Sequence, residues 1–424
     1  MRLSDCFVMI SRALPKRALE MKLAVVALAL GLIAPPAAAI DTGGEVDFDT
    51  YFAGGTVDAQ IASMNTWAGA FSASDPRPTV VFRAKEYAFS TAIKLWSGLS
   101  LRGASGRSVR EYTTGTSFKW NGAAGTSMLT FTGSQTGQGY PSDGSPRNIT
   151  MENILFRGTS TTHFLPKYDP TTYGTNGPGH VLWMSTFHNV GWKTFATIAW
   201  GWFDGVTISG PVHFQEVYDT AFYLGGSENS LFTDEYSFGD TAASTNSPVF
   251  TTGLPFIRSV LSKTRIGGIM LTGRKKGYGL SVEGGQGLLI TGAAFDAQDS
   301  DPMYGSAVRI SGGDGIRIIG CSFKGAMSNP SSANGGTAAN RGWITVTGGR
   351  QIVIDGTNFH RGGSSPAPTS TPLVWVSSTV DVDEVKWGSA TSASGYAGTA
   401  AVIAHAVAGR IVNNDPSVAL VVAP

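Results

Sequence analysis

The sequence predicts an all-β protein built as a solenoid, and three observations predict it. Charged residues make up only 14% of the 424-residue chain, while 55 residues are glycine and 10% are aromatic, a balance foreign to helical bundles and disordered chains. The stretch "VVFRAKEYAFSTAIKLWSGLSLRGASG", residues 80 to 106, consists of short period-two apolar segments: Val81, Tyr87 and Phe89, Ile93 and Leu95, Leu99 and Leu101. They are broken by Lys85-Glu86, Ser97-Gly98 and Gly103 without the Asn-Gly signals of hairpins. Finally, "ITGAAF" at 290 to 295, "IIGCSF" at 318 to 323 and "IDGTNF" at 354 to 359 share the pattern Ile-x-Gly-x-x-Phe, and "MENILF" at 151 to 156 is a weaker copy. An inward Ile, a Gly at a sharp turn and an inward Phe on the next strand would build one coil edge. Stacked coils would then align Ile on Ile and Phe on Phe about 4.8 Å apart.

Taken in chain order, Lys16, Arg17 and Lys22 precede the apolar run Leu23 to Ile33, and Ala37-Ala38-Ala39 follows it. This is the pattern of a secretory signal cleaved after Ala39, too short to span a bilayer comfortably. The leader takes five basic and two acidic residues with it, so a net charge of +1 becomes −2. That balance gives nucleic acid no footprint. Of the two cysteines, Cys6 leaves with the leader and Cys321 remains alone, so no internal disulfide is expected. Residues 40 to 78 read as an amino-terminal cap. Within it a helix over about 57 to 74 is predicted from Ile61, Met64, Trp67, Ala68 and Phe71, which share one face. Pro76 and Pro78 close it. The solenoid is expected over 79 to 412, its 36-residue step between Phe323 and Phe359 holding a loop. Residues 413 to 424 end the chain as an apolar cap, tail or assembly surface.

The helix, the 80 to 106 stretch and the Ile-x-Gly-x-x-Phe coils together resemble the right-handed parallel β-helix proteins of the pectate lyase-like superfamily. The match is close from Val80 to Gly103 and looser from Asn148 to Phe359. The chain departs from the family at the Asp-Asp-Thr helix entry, here "GTVDAQIAS", and at the Pro-Gly turn, here Ala84-Lys85. The resemblance implies an amino-terminal helical lid on the open tube and an extended polysaccharide as ligand. It leaves lyases, hydrolases, epimerases, phage tailspikes and adhesins open. Galacturonan hydrolases in this superfamily carry Asn-Thr-Asp, Asp-Asp, Gly-His-Gly and Arg-Ile-Lys, and mannuronan epimerases Asp-Pro-His-Glu; none of these is present.

What remains is the acidic and aromatic segment from Trp200 to Asp240. With coils of about twenty residues, Glu216 would stack on Glu235 and Asp219 on Asp240, placing an acid beside a base. Glu216, Asp219, Asp234 and Glu235 are therefore the catalytic candidates. Arg258 is the candidate base if the acids instead hold calcium for β-elimination on a uronate. Trp200, Trp202, Tyr218 and Tyr223 are candidate sugar platforms, and Lys263 and Arg265 candidate partners for substrate carboxylates. The competing readings are solvated turn acids and core aromatics. A second acidic group, Asp296, Asp299 and Asp301, has no EF-hand spacing. Among the histidines, His163, His180, His188 and His213 share no metal-ligand spacing. Cys321 reads as a small core residue. The expected protein is an exported carbohydrate-active enzyme, or else a non-catalytic spike or adhesin. It would be secreted, periplasmic or virion-associated, with no membrane contact after signal removal, and a monomer or a homotrimer.

Overall fold

The computed structural model describes residues 44–71, 77–104, 115–131, 146–167, 181–210, 212–228, 231–232, 236–239, 250–252, 265–267, 269–272, 279–297, 306–325, 342–360, 373–376, 385–387, 392–394, 401–405, 411–413 and 419–423. The expected signal segment lies outside them. By chain contacts residues 1 to 42 separate from 43 to 424, and everything below concerns the latter.

Three long parallel sheets carry the described chain, of thirteen, eleven and ten strands, with a further two-stranded pair. Along most of its length, each turn of the chain adds one strand to each long sheet. The strand Thr150–Glu152 joins the thirteen-stranded sheet, Leu155–Arg157 the eleven-stranded one, and Val181–Trp183 opens the ten-stranded one. The chain then returns to the thirteen-stranded sheet with Thr186–His188, in register with Thr150–Glu152.

Two corners of each coil repeat. Between the thirteen- and eleven-stranded sheets the chain turns at Asn153, Asn189, Gly210, Gly292, Gly320 and Gly356, all with φ between 50° and 79°. Only Gly, and less readily Asn, adopts this left-handed conformation cheaply. The turning N–H still reaches the next coil, from Asn153 N to His188 O at 3.1 Å and from Gly320 N to Asp355 O at 3.0 Å. The Asn153 and Asn189 side chains add their own rung, Nδ2 of Asn189 donating to Oδ1 of Asn153 at 2.7 Å. A second column, entering the thirteen-stranded sheet, holds Asn148, Met184, Gly205, Gly287, Gly315 and Gln351 at φ of 45° to 69°.

The expected ladders form. Ile290, Ile318 and Ile354 pair in register, as do Phe295, Phe323 and Phe359. The Phe rings stack at 4.7 and 4.9 Å, with interplanar angles of 2° and 9°. Cys321 is buried beside them, and burial pushes its thiol up to about 11, which suits a core residue. In earlier coils Phe156, Trp192 and Phe214 form the equivalent column.

Helix α1 (Phe48–Tyr51) and helix α2 (Val57–Gly69) precede the coils. The buried face of α2 is Ile61, Met64, Asn65 and Ala68. Asn65 is buried because its amide is spent on the backbone of residues 92 to 94, donating to Ala92 O and accepting from Lys94 N, both at 2.9 Å. The helix ends at Gly69, short of the expected residue 74. The reason lies in buried Arg77, which donates to the freed carbonyls of Ala68 and Phe71. Any side chain on Gly69 would start 2.6 Å from the Trp96 ring. The sheets also run beyond the expected limits at both ends. Glu45–Asp47 pairs with Thr79–Val81, and Ala419–Ala423 with Ala401–His405.

Phe323 is fully buried between two stacked rings, so truncation leaves a cavity neither neighbour can fill. Phe323→Ala should lower unfolding stability by about 3–5 kcal/mol and Phe323→Leu by about 1–1.5 kcal/mol, read by urea denaturation. Equal losses for the two would mean that ring stacking, not volume, sets the cost.

Candidate functional site

The middle coils carry the chemistry. Gly191–Phe195 and Val212–Val217 lie in the eleven-stranded sheet; Ala199–Asp204 and Phe222–Glu228 continue into the ten-stranded one. The connections between them stack. Phe164 N and Leu165 N donate to Thr197 O and Ile198 O, and Tyr218 N and Asp219 N donate to Phe195 O and Ala196 O, at 2.9–3.0 Å. Three coils therefore present one continuous flank.

Thr194 and Glu216 sit side by side in this flank with left-handed φ of 61° and 56°. Both interrupt strands whose flanking residues stay in register, Lys193 with Gln215 and Phe195 with Val217. Such a conformation is a genuine outlier for a β-branched residue and carries a strain of about 1–3 kcal/mol. The Thr194 hydroxyl donates to Glu216 Oε2 at 2.6 Å. One coil earlier, Gly158 leaves room for the distortion, since a side chain there would start 2.8 Å from Thr194 O and from the Phe195 ring.

Beside this kink Trp200 and Tyr223 pair in register. Their rings stack at 4.5 Å and 18°, half-buried rather than in the core. Lys167 places its ammonium 4.5 Å from the Trp200 ring centroid and 3.4 Å from Asp219 Oδ2. Lysine arrives from the coil before and tyrosine from the coil after, so the two faces of Trp200 are both occupied. Asp219 Oδ1 accepts from Thr220 N at 2.8 Å. His163 Nδ1 lies 2.8 Å from Thr197 Oγ1. Burial, then the Lys167 charge, holds the His163 imidazole below its ordinary range, with Asp219 opposing them.

Of the residues singled out from sequence, this flank gathers Glu216, Asp219, Trp200, Tyr218 and Tyr223. The expected stacking of Glu216 on Glu235 falls outside the described residues; next to it Val212 pairs with Tyr236, a 24-residue step. Asp234, Glu235, Arg258 and Lys263 lie outside the described residues, as do Asp299 and Asp301. Arg265 opens a strand of the thirteen-stranded sheet, in register with Leu231 and Leu289, and so belongs to another face. Trp202 shares a strand with Trp200, and its side chain, like those of Arg265 and Asp296, is outside the description. Among the described residues no three His, Cys, Asp or Glu side chains gather as a metal ion requires. No helix among them is long and apolar enough to cross a membrane.

No protein-family model matches the chain, and no curated protein matches its sequence. Solved structures do match. The Streptococcus pneumoniae surface protein and adhesin PfbA aligns at a TM-score of 0.54 and 13% identity, over 87% of this chain and 96% of that one. DFA-IIIase from Arthrobacter chlorophenolicus A6, without its lid and in complex with GF2, aligns at 0.55 and 11%, over 88% and 99%. Against Geobacillus virus E2 ORF18 the TM-score is 0.47 at 14% identity, covering 83% of this chain and 62% of that one. At such identities the likeness is one of fold. The chain has the right-handed parallel β-helix fold that the resemblance implied.

The neutral His163 carries a pH consequence. A histidine whose folded value is depressed binds fewer protons than the unfolded chain in mildly acidic solution, so its contribution is present above its ordinary value and lost as pH falls through the depressed one. Urea midpoints of the parent should drop over that window more steeply than those of His163→Gln. Parallel pH profiles would mean that His163 is protonated in the folded state without cost.

Proposed function

We propose that this flank engages an extended carbohydrate and that Glu216 is the acidic group turned toward it. The observation carrying the reading is the left-handed backbone at Thr194 and Glu216, because strain of that kind persists where it positions a working side chain. The aromatic pair beside it supplies the apolar contact that sugar C–H faces favour. Lys167 occupies that position in the free protein, and it is cheaply displaced: an exposed ion pair contributes about 0.2–1 kcal/mol and an exposed cation–π contact about 0.5–1 kcal/mol. A sugar ring takes the ammonium's place over Trp200, and Asp219, released from Lys167, accepts the sugar's hydroxyls.

Hydrolysis is the form of cleavage these groups support. Glu216, held by a neutral hydroxyl rather than a cation, gives a proton to the glycosidic oxygen as its bond to the anomeric carbon breaks. The Asp219 carboxylate supports the positive charge developing on the sugar, and water adds to that carbon and returns a proton to Glu216. β-Elimination would rest on calcium held by the acids and on Arg258, which lies outside the described residues. The second reading is recognition without cleavage, favoured by the fold shared with an adhesin. In either case the leader pattern supports work outside the cytoplasm, secreted, periplasmic or virion-associated. A trimeric mass in solution would favour the spike.

The test uses the full chain in native gels cast with dextran, laminarin, xylan, inulin or polygalacturonate, beside an assay of released reducing ends. Retardation by at least one polymer is expected, weakened about tenfold or more in Trp200→Ala. Glu216→Gln should keep retardation but lose about 100-fold or more in reducing-end release. Lys167→Ala should bind as tightly as the parent or up to about fivefold more tightly. Tenfold weaker binding in Lys167→Ala would show that the lysine holds the sugar rather than yielding to it. Retardation without any reducing ends would leave recognition alone.

A further inference from the structure

The strand Ala199–Asp204 carries a second group of side chains at its other end. Arg147 bridges Trp183, and Trp183 pairs in register with Asp204. Three successive coils therefore place a guanidinium, an indole and a carboxyl in one column, the outer two roughly 10 Å apart. The Arg147 guanidinium lies 4.4 Å over the Trp183 ring. Among the described residues no ion pair engages Arg147 or Asp204 and neither side chain makes a hydrogen bond, while the Arg147 backbone N–H donates to Ser97 Oγ at 3.0 Å. Arg147 Nε and Trp183 Nε1 are buried without an acceptor. Asp204 is half-buried, and desolvation holds its carboxyl above the usual carboxylate range, the Arg147 charge only partly offsetting it.

Next to this column stands Met184. It occupies a corner that Gly or Asn fills in most other coils, at φ 45°, yet its side chain is 65% exposed. Gly205 turns the same corner on the following coil at φ 62°, and a side chain there would begin 3.5 Å from Met184 Cγ, an ordinary contact distance. An unpaired half-buried carboxyl, two buried donors without acceptors and a strained exposed methionine each cost stability.

We propose that Arg147, Trp183, Met184 and Asp204 form a second carbohydrate subsite, for a neutral sugar unit bearing a vicinal diol. The Asp204 carboxylate accepts the two hydroxyls, the Arg147 guanidinium donates to a sugar oxygen, and Met184 with the edge of Trp183 meets the C–H face. An anion in the same place would face the Asp204 charge, and a cation would leave Arg147 without an acceptor. The inference rests on the carbohydrate reading above and extends it. Asp204 is four residues from Trp200, roughly 13 Å along an extended strand, which leaves room for more than one sugar unit. The polymer therefore crosses the sheet along its strands.

The experiment runs the full-length parent, Asp204→Asn, Met184→Gly and Trp200→Ala in the same five polysaccharide gels, with a thermal melt of each. Met184→Gly relieves the left-handed strain, and Asp204→Asn removes an unpaired charge at constant shape. Both variants should melt at or above the parent temperature while binding the retarding polymer at least fivefold more weakly. Parent-like retardation in both, with loss only in Trp200→Ala, would overturn the subsite and leave the first site standing. A lowered melting temperature in both, without loss of binding, would show the column to be structural and equally overturn it. If no polymer retards the parent, the carbohydrate reading itself fails and the subsite falls with it.

Discussion

Parallel strand stacked on parallel strand along one axis is the constraint from which the remaining structure follows. Every coil must hand each backbone N–H and C=O to the coil above or below it, because an unpaired buried group costs about as much as a lost hydrogen bond. The chain can then change sheet only where a residue turns sharply and still donates upward. The left-handed corners do this, from Asn153 N to His188 O and from Gly320 N to Asp355 O. Residue choice at those points is narrow, and inward residues stack on inward residues: like on like at Phe295, Phe323 and Phe359, and unlike at Met151, Phe187 and Ile208. Phe295, Phe323 and Phe359 lie within 10° of parallel, whereas Phe118 and Phe156, equally in register, meet edge to face at 80°, so register sets which rings meet and local packing sets their angle.

The same register also builds the outer face. Residues that meet there come from different coils, so a site is a column of substitutions rather than a loop. Lys167, Trp200 and Tyr223 meet this way, as do Arg147, Trp183 and Asp204. Function on this frame is therefore visible as departure from the ladder's own rules. Thr194 and Glu216 adopt a corner conformation inside strands, and Met184 occupies a corner suited to glycine. Each departure sits on the coils between residues 181 and 228, where aromatic and charged side chains come together outside the core.

Legibility in the sequence followed the strength of these rules. The three Ile-x-Gly-x-x-Phe coils were readable because glycine marks the corner and both flanking columns keep their residue types. The coil at Phe187 to Trp192 escaped notice because Asn189 turns its corner and tryptophan takes the place of phenylalanine. Periodicity placed α2 but not Asn65 on its buried face, since a polar residue is buried there only for the backbone it satisfies. At the site, residue type pointed to Glu216, Asp219, Trp200 and Tyr223 but could not pair them. Pairing needs coil lengths, and these vary: His163 bridges Thr197 across 34 residues, Trp192 meets Phe214 across 22 and Val212 meets Tyr236 across 24. Lys167 and Thr194 had no sequence signal at all, because one acts through a neighbour two coils away and the other through its backbone.

The strained flank lies over aromatic packing of its own. In a solenoid each coil answers mainly to its neighbours, so a local cost must be offset locally. Trp192 lies flat on Phe214, with centroids 4.9 Å apart and 6° between planes, and Phe222 packs edge-on against both. Phe195, adjacent to the distorted Thr194, is fully buried and meets Phe164 edge to face at 5.9 Å. Aromatic pairs of this kind contribute about 0.5–1.5 kcal/mol each beyond the area they bury, comparable to the strain of one left-handed threonine or glutamate. Directly beneath Thr194 and Glu216, then, stacked aromatic rings lie where the backbone is strained. That arrangement lets a coil hold an acidic side chain in an unfavourable conformation without loosening the coils on either side.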